Sequence, residues 1–381
     1  MYRNLRFVEQ GWGEKAVAAM EKLAADNSEE LEAANRGNRF PAGVYEQLGK
    51  LGHVGIFIPK EYGGSGLGAA EYCLINEEAG RLGIVSPQTA VQGQKWLLAF
   101  GTDEQKSKYL PKIADGSLPF SESISEKGVG SSFDSMETRA VRDGDDDWII
   151  TGAKTHVNMG EEALLTIVYA QTDEGLTAFM VEAGLPGYSA TRTDAIGSRL
   201  IPTADVIFDG VRVPDSALLG RPGQGMETFL TTFNLSRLGN ASELIGYGRR
   251  SLGLAIDYAK ERQVGSNVVT DFQGQKWAIA DAHQALWSAA LLRDLAATKI
   301  DAGEEHALET TMAKNAAVDA ALLASQTAFN LVGGHALYHE HPFFAILGDI
   351  EVLRTAGGSR EVLRNFAARR ILRSQTYEGI K

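Results

Sequence analysis

Residues 143–170 read DGDDDWIITGAKTHVNMGEEALLTIVYA, and this stretch decides which fold the chain can adopt. Its turn-forming Asp and Gly residues precede runs that are rich in β-branched side chains. Four such short runs lie in and after the stretch, at 148–151, 164–170, 176–181 and 204–208. Short runs with turns about every 8 to 12 residues are typical of a small antiparallel barrel or sandwich. We therefore predict a β-domain between residues 119 and 221.

Helical patterns flank this central region on both sides. Before it, residues 67–82 carry apolar side chains at helical spacing, and a helix over 101–114 begins after Thr102, an N-cap with Gln105 three residues on. After it, long alanine- and leucine-rich segments predict an antiparallel bundle: 241–262, 272–301 and 306–333. The predicted fold class is α+β, with an N-terminal helical domain, a central antiparallel β-domain and a C-terminal four-helix bundle: 1–118, 119–222 and 223–381.

Composition excludes several classes of function. The chain has 381 residues and a formal net charge of −12, which argues against a nucleic-acid partner and against binding to an anionic membrane surface. No stretch approaches the roughly 18 to 20 apolar residues that span a membrane. The single cysteine, Cys73, excludes an internal disulfide and a cysteine zinc site, and it fits a cytoplasmic location.

Simple catalytic motifs are weak in this sequence. His335, His339 and His341 lie close together, but Gly333-Gly334 and Pro342 interrupt any helix there, which favours a loop over a metal site. Cys73 lies in an apolar helix and is interpreted as a core residue. No Gly-x-Ser-x-Gly elbow and no Walker-type loop occur. The Gly128-Val129-Gly130 stretch alone predicts only a turn between strands.

Six further stretches, taken together, resemble the acyl-CoA dehydrogenase family. Three lie in the first half of the chain: LGHVGIFIPKEYGG (51–64) is similar to the family's N-terminal signature, ISEKGVGS (124–131) to T-E-P-G-A-G-S, and TGAKTHVNMG (151–160) to N-G-x-K-x-W-I-T-N-G. Three lie in the second half: VRVPDSALLGRPGQGM (211–226) is similar to the loop that closes the β-domain, 258–273 to Y-A-x-E-R-x-Q-F-G…F-Q, and 330–334 to Q-x-x-G-G. The stretches keep the family's order and spacing over roughly residues 45–370.

The resemblance implies a flavoprotein in which an acyl thioester lies between FAD and a carboxylate base. The base removes the α-proton while a hydride passes to the flavin, so the protein supplies positioning and electrostatics. The implied FAD-binding residues are Ile124, Ser125, Gly130, Ser131, His156, Asn158, Arg262, Gln273, Asn330, Gly333, Gly334, Ser359 and Glu361. Arg237 is implied to contact the substrate. Because family members borrow the residues equivalent to Arg262 and the Gly333-Gly334 loop from a neighbour, an oligomer is also implied.

The sequence departs from the family pattern in the implied flavin site. His156 stands where the family has a tryptophan, and Asn158 stands where it has a threonine. A histidine ring is still flat, and the asparagine NH2 group can still donate a hydrogen bond. Gly265 and Asn330 replace a phenylalanine and a glutamine of the dinucleotide site. These changes predict an altered FAD site that keeps most of its polar groups.

The implied catalytic base is missing from both positions that the family uses. Gly357 stands where most members have glutamate, and Ser236, next to Arg237, stands where a second group has it. A serine without a partner that accepts its proton cannot act as a base. Four carboxylates are candidate replacements by their presence alone, although periodicity favours a solvated or salt-bridged surface position for each: Glu162, Glu243, Asp349 and Glu351.

Three functional hypotheses follow from the resemblance. The first is an FAD enzyme that acts on an acyl-CoA or acyl-carrier thioester with a relocated base or without one. The second is a non-catalytic or site-sharing subunit that assembles with a homologous chain. The third is flavin-assisted elimination from an acyl-CoA. A homo-oligomer or a hetero-oligomer is compatible with the first two.

Overall fold

A computed structural model describes residues 11–130, 133 and 135–373 of the chain. Within this described part, six α-helices come first, and their bounds are α1 Trp12–Asp26, α2 Ser28–Arg36, α3 Ala42–Lys50, α4 Ala69–Leu82, α5 Thr89–Phe100 and α6 Asp103–Ala114. The prediction for α6 is confirmed in detail, because Thr102 is its N-cap and exchanges hydrogen bonds with Gln105 in a capping box. Cys73 of α4 is buried, as predicted.

Seven strands follow the first helices and form one sheet. They are β1 Phe120–Ser123, β2 Arg139–Asp143, β3 Asp147–Asn158, β4 Leu165–Thr172, β5 Gly175–Glu182, β6 Tyr188–Arg192 and β7 Thr203–Pro214. The strand order is β1-β4-β2-β3-β7-β6, and β5 pairs with the other side of β4. The predicted β-domain is therefore present in the structure.

The prediction that the sheet is wholly antiparallel is wrong for β4. This strand runs parallel to β1 and, at one residue pair, parallel to β2, whereas β2–β3, β3–β7, β4–β5 and β6–β7 are antiparallel. The reason is that one edge of β4 pairs with β1 and β2, which are not its sequence neighbours, because the chain passes through β2 and β3 between β1 and β4. Hairpin spacing alone does not reveal such a crossover.

Long helices make up the rest of the described chain. They are α7 Gly225–Glu261, α8 Gln273–Asp301, α9 Ala307–Val332, α10 Phe343–Thr355 and α11 Arg360–Arg373, with a short hairpin of β8 Gln263–Val264 and β9 Asn267–Val268 between α7 and α8. Alanines fill the contacts of α7, α8 and α9, which lets these helices approach closely. In the described part of the chain, no helix is long and apolar enough to cross a membrane.

Charged side chains join the N-terminal helices to the C-terminal bundle. Glu77 of α4 forms ion pairs with Arg249 of α7 and Arg293 of α8. Asp301, at the end of α8, accepts hydrogen bonds from the first amides of α4 at Ala69, 2.6 Å, and Ala70, 3.2 Å. Such pairs are costly to break, because removing one partner leaves a buried charge uncompensated. They fix α4, α7 and α8 relative to one another.

Candidate functional site

The turn after β1 is closed by its own backbone. Glu126 and Val129 exchange two N–H···O bonds of 3.0 Å, which confirms the predicted turn at Gly128. A Cβ built at Gly128 or Gly130 would meet no atom within 4 Å, so the turn borders open space. Ser131, the next implied flavin residue, lies outside the described residues. The turn therefore presents Ile124 and Ser125 beside a space that a ligand could occupy.

A buried ion pair fixes this turn against β3. The Nζ of Lys154 donates to the Glu126 carboxylate at 2.9 Å and to the Ile124 carbonyl at 3.1 Å. Glu126 also accepts from the backbone amides of Glu137 and Thr138 at 2.6 and 3.0 Å. Burial lowers the pKa of Lys154 to about 8, although Glu126 opposes the shift. Because one carboxylate holds three donors, the turn has little freedom to move.

The end of β3 brings His156 and Asn158 to the same place. The Thr155 amide donates to the Ser125 carbonyl at 2.9 Å, and the Ser121 hydroxyl donates to the Asn158 carbonyl at 2.8 Å. The β3–β7 register shifts between Lys154 and Val157, and His156 has a φ of 57° within this bulge. Left-handed backbone at a bulge re-aims a side chain and is strained for histidine. The structure thus groups Ile124, Ser125, His156 and Asn158, with both of the last two side chains exposed.

Five further implied cofactor residues lie at the far end of the bundle. Arg262 ends α7, Gln273 begins α8, and Asn330, Gly333 and Gly334 lie at the end of α9, and all five are exposed. Phe133, just beyond the turn after β1, packs on Phe229 near the start of α7, with 5.1 Å between ring centroids. Phe229 and Arg262 are 33 residues apart along the chain. At 1.5 Å per helical residue, they are therefore about 50 Å apart along the axis of α7.

Both positions of the implied base come together in the structure. Gln88, the residue before α5, donates through Nε2 to the Asn240 side-chain oxygen at 2.6 Å, and the same nitrogen lies 3.4 Å from the Ser236 hydroxyl oxygen. The Asn240 amide group then donates to the Ala356 carbonyl at 3.2 Å. A Cβ at Gly357 would lie 2.6 Å from that same Asn240 nitrogen. An amide network therefore fills the space next to Gly357.

Two cations hold the loop at 356–358. Arg237 donates through Nε to the Gly357 carbonyl at 3.1 Å, and its guanidinium carbon lies 4.1 Å from the Phe233 ring centroid. Lys314 of α9 donates to the Ala356 and Gly358 carbonyls at 2.5 and 2.7 Å. Burial, with a smaller effect from Arg237, lowers the pKa of Lys314 to about 7. Arg237, the implied substrate contact, is thus bonded to the loop in this state.

The last two implied cofactor residues begin α11. Ser359 accepts at its hydroxyl oxygen from the Val362 amide at 3.4 Å, and its carbonyl accepts from Leu363 at 3.0 Å. Glu361 lies in the first turn of the helix and is exposed. Negative charge at this position suits the positive end of the helix dipole. Ser359 therefore begins the helix that follows the 356–358 loop.

The surface location predicted for the four spare carboxylates is wrong for two of them. Glu243 is 3% exposed and Asp349 is 9% exposed, because the helices that carry them are packed on several faces. Glu162 pairs with Arg192 and Glu351 pairs with Arg354, as expected for salt-bridged positions. Helical periodicity failed for α7 because this helix is surrounded by α4, α9 and α10 and has no single solvent face.

Glu243 predicts a pH dependence of stability. Burial, with a smaller contribution from Asp349, raises the pKa of Glu243 to about 8. Below the ordinary pKa of 4.5, Glu243 is protonated in both the folded and the unfolded protein. As pH rises from there to about 8, the unfolded chain loses this proton while the folded protein keeps it, so the free energy of unfolding falls. Glu243→Gln cannot ionise and should reduce this loss by roughly 2–5 kcal/mol.

Urea unfolding at several pH values measures this effect, with Glu351→Gln as the control that removes a salt-bridged carboxylate. The control should keep the wild-type pH profile. Equal pH profiles for wild type and Glu243→Gln would show that Glu243 ionises freely in the fold.

The histidine cluster shows no metal-binding geometry. His335 lies in a short 3-10 helix, and its ring contacts those of Tyr258 and His341 at centroid distances of 5.7 and 6.1 Å. Among the residues that the structure describes, no group of three or more His, Cys, Asp or Glu side chains is placed to hold a metal ion.

Several residues of the site were not found from the sequence. Lys154, Lys314, Gln88 and Asn240 were missed because each is part of a contact between segments far apart in the chain. The only sequence signal was a lysine or an amide inside an otherwise apolar strand or helix, and such residues are rarely buried without a partner.

Comparison with known proteins agrees with this geometry. Three family models match in order: the acyl-CoA dehydrogenase N-terminal domain over residues 13–117, the middle domain over 121–211 and the C-terminal domain over 223–372. The chain is 34% identical over 339 residues to an acyl-CoA dehydrogenase of Mycobacterium tuberculosis, covering 85% of this chain and 86% of the relative. It is 31% identical over 350 residues to the mouse mitochondrial short-chain specific acyl-CoA dehydrogenase, covering 89% and 85%.

A solved structure of a similar protein has the same fold. The glutaryl-CoA dehydrogenase of Mycobacterium smegmatis, determined in complex with FADH2, superimposes with a TM-score of 0.90 at 25% identity, covering 98% of each chain. The chain belongs to the acyl-CoA dehydrogenase family.

Proposed function

We propose that this chain is an FAD-dependent oxidoreductase that acts on an acyl-CoA or acyl-carrier thioester without the usual glutamate base. One observation carries the proposal: the turn at Ile124 and Ser125 is fixed to the bulge at His156 and Asn158 by a buried ion pair and two further hydrogen bonds. The segments that carry Ile124, Ser125, His156 and Asn158 are thereby held together, and the His156 and Asn158 side chains are exposed. Strained backbone such as that of His156 clusters at functional sites.

The residues present fit a flavin. When bound, FAD accepts a hydride, which the protein itself cannot do. Ile124, Ser125, Gly130, Ser131, His156 and Asn158 would hold its ring system, and Ser359 and Glu361 would lie nearby. Arg262, Gln273, Asn330, Gly333 and Gly334 would hold the dinucleotide of a neighbouring subunit. A Cβ built at Gly333 or Gly334 would meet no atom within 4 Å, so the backbone there is open to a phosphate.

An oligomer follows from this division of the cofactor site. Within one chain the two residue sets are separated by about 50 Å of helix α7, too far for one flavin to contact both. Large apolar side chains are exposed along α8, at Trp277, Trp287, Leu291 and Leu295, and they support an interface there. The domain boundaries at residues 118 and 222 stay a prediction.

The site-sharing subunit is the second candidate. The amide network of Gln88 and Asn240 favours it, because Asn240 lies where a side chain at Gly357 would begin. A chain that only completes the site of a homologous partner needs no base of its own. Expressing this chain alone and together with a homologous chain separates the two candidates. If the chain alone binds one flavin, the result supports the enzyme. If the chain alone is colourless, the result supports the site-sharing subunit.

Arg262→Ala should weaken flavin retention about 10- to 100-fold, because a charge-assisted bond to a phosphate is lost. The measurement is the flavin dissociation constant after partial removal of the cofactor. Lys260→Ala is the matched control: Lys260 is a cation at the same helix end, bonded to Asp257 at 3.1 Å. Unchanged flavin binding by Arg262→Ala would contradict this role of Arg262.

A further inference from the structure

Glu122 is a carboxylic acid on an apolar face of the sheet. It lies on the same face of β1 as Phe120, which packs on Trp96 of α5 with 6.0 Å between ring centroids. Glu122 pairs in parallel register with Ile167 of β4, so Tyr169, two residues further on, lies on this face as well. Strand geometry therefore places the carboxyl and the phenol side by side, beneath α5 and α7.

One polar atom of each residue is buried without a partner. Among the residues that the structure describes, neither the Glu122 Oε1 nor the Tyr169 hydroxyl has a donor or an acceptor within bonding distance. Burial raises the pKa of Glu122 to about 8, so the carboxyl carries a proton near neutral pH. Buried polar groups in native proteins are nearly always bonded, and an exception points to a missing ligand or water.

The two groups lie on the path to the proposed reaction site. The Tyr169 ring contacts Phe229 of α7 at 6.1 Å, Phe229 contacts Phe233 at 4.8 Å, and Arg237 stacks on Phe233. The Glu122 Oε1 is covered, although Glu122 as a whole residue is half-buried. Ser125 is three residues further along the chain, about 10 Å at 3.3 Å per residue.

We propose that Glu122 and Tyr169 together select the acyl group of the thioester by binding a neutral hydrogen-bonding group on it, a hydroxyl. The inference rests on the proposed function and adds the substrate class. A hydroxyl can donate to one of the two groups and accept from the other. A plain alkyl chain would leave both unpaired, and a site built for a hydroxyl discriminates strongly against the analogue that lacks it. An anionic acyl end would be disfavoured by desolvation in this apolar surrounding.

Calorimetric titration of the flavin-loaded protein tests the inference. The ligands are saturated acyl-CoAs of several short chain lengths and their analogues with one hydroxyl at each successive carbon. For one acyl chain length and one hydroxyl position, the wild-type protein should bind the hydroxylated ligand at least about 10-fold more tightly than the alkyl ligand of the same length. Glu122→Leu should abolish this preference, Tyr169→Phe should reduce it, and Glu122→Gln, which still donates and accepts, should keep most of it.

Ser123→Ala is the matched control. The Ser123 hydroxyl is also buried without a partner, but strand alternation places it on the opposite face of β1. It should leave the preference unchanged. Glu122→Leu should also raise the midpoint of thermal unfolding, because a residue kept for ligand binding is replaced by one that suits its apolar surroundings.

The outcomes separate the inference from the function on which it rests. Alkyl and hydroxylated ligands that bind equally well to wild type, or a preference that survives in Glu122→Leu, would overturn the role of Glu122 alone. Failure of any thioester to bind would overturn the proposed function as well. If Glu122→Leu does not fold, a preference that is unchanged in Tyr169→Phe would reject the inference.

Discussion

Ser236→Glu should raise acyl-CoA dehydrogenation by this chain about 10²- to 10⁴-fold. A general base contributes a factor of this size, and the wild-type serine is far too weakly basic to remove an α-proton at neutral pH. The position is buried on α7, and the side-chain amides of Gln88 and Gln92 each lie 3.4 Å from its hydroxyl. These donors would orient a carboxylate at residue 236. The measurement is anaerobic reduction of the bound flavin by a saturated acyl-CoA.

Ser236→Gln is the control, since glutamine has the same shape and no basicity. It should stay at the wild-type rate. Gly357→Glu should be a weaker rescue, because residue 357 has a φ of 68° and its Cβ would meet Asn240 at 2.6 Å. Asn240→Ala combined with Gly357→Glu removes that contact and should exceed the single variant. No gain from Ser236→Glu would mean that the thioester does not lie beside this position.

Glu126→Ala should destabilise the protein by about 3–5 kcal/mol and release most of the flavin. Removing one partner of a buried ion pair leaves the other charge uncompensated, here the ammonium of Lys154. Two backbone amides, at Glu137 and Thr138, also lose their acceptor. The turn at Ile124 and Ser125 would then be free to move. Urea unfolding gives the stability change, and the flavin-to-protein ratio after gel filtration gives the retention.

A double variant separates charge from shape in this prediction. Glu126→Leu combined with Lys154→Met removes both charges and should recover part of the stability lost in Glu126→Ala. Lys108→Ala is the surface control: its pair with Glu182 is exposed, so the change should cost less than about 1 kcal/mol. A cost below about 1 kcal/mol for Glu126→Ala would show that the pair does not fix the turn.

The sequence predicts the fold well because the fold depends on local patterns. The capping box at Thr102 and Gln105, the turn after Glu126 and the long alanine-rich helices all follow from neighbouring residues. The parallel pairing of β1 with β4 does not, because it depends on a crossover between distant segments. The same holds for Glu243, whose burial is decided by which helices surround α7.

The candidate site is predictable only in part, for the same reason. The resemblance to the family was enough to name Ser125, His156 and Asn158, and the structure brings the segments that carry them together. Spacing could not show that Asn240 fills the space beside Gly357, or that Lys314 holds the loop next to it. Nor could it show that the Glu122 Oε1 is buried without a partner among the described residues, since an isolated glutamate in a short strand predicts a surface position.

Mixing the isolated, flavin-loaded protein with saturated straight-chain acyl-CoAs under anaerobic conditions tests the central claim most directly. The claim is that this chain binds flavin and thioester but lacks the usual base. The expected result is that the thioester perturbs the flavin absorption spectrum on binding, while reduction of the flavin is absent or at least about 10²-fold slower than in Ser236→Glu. Rapid reduction of the wild-type flavin by a saturated acyl-CoA would contradict the account, because another residue would then be removing the proton.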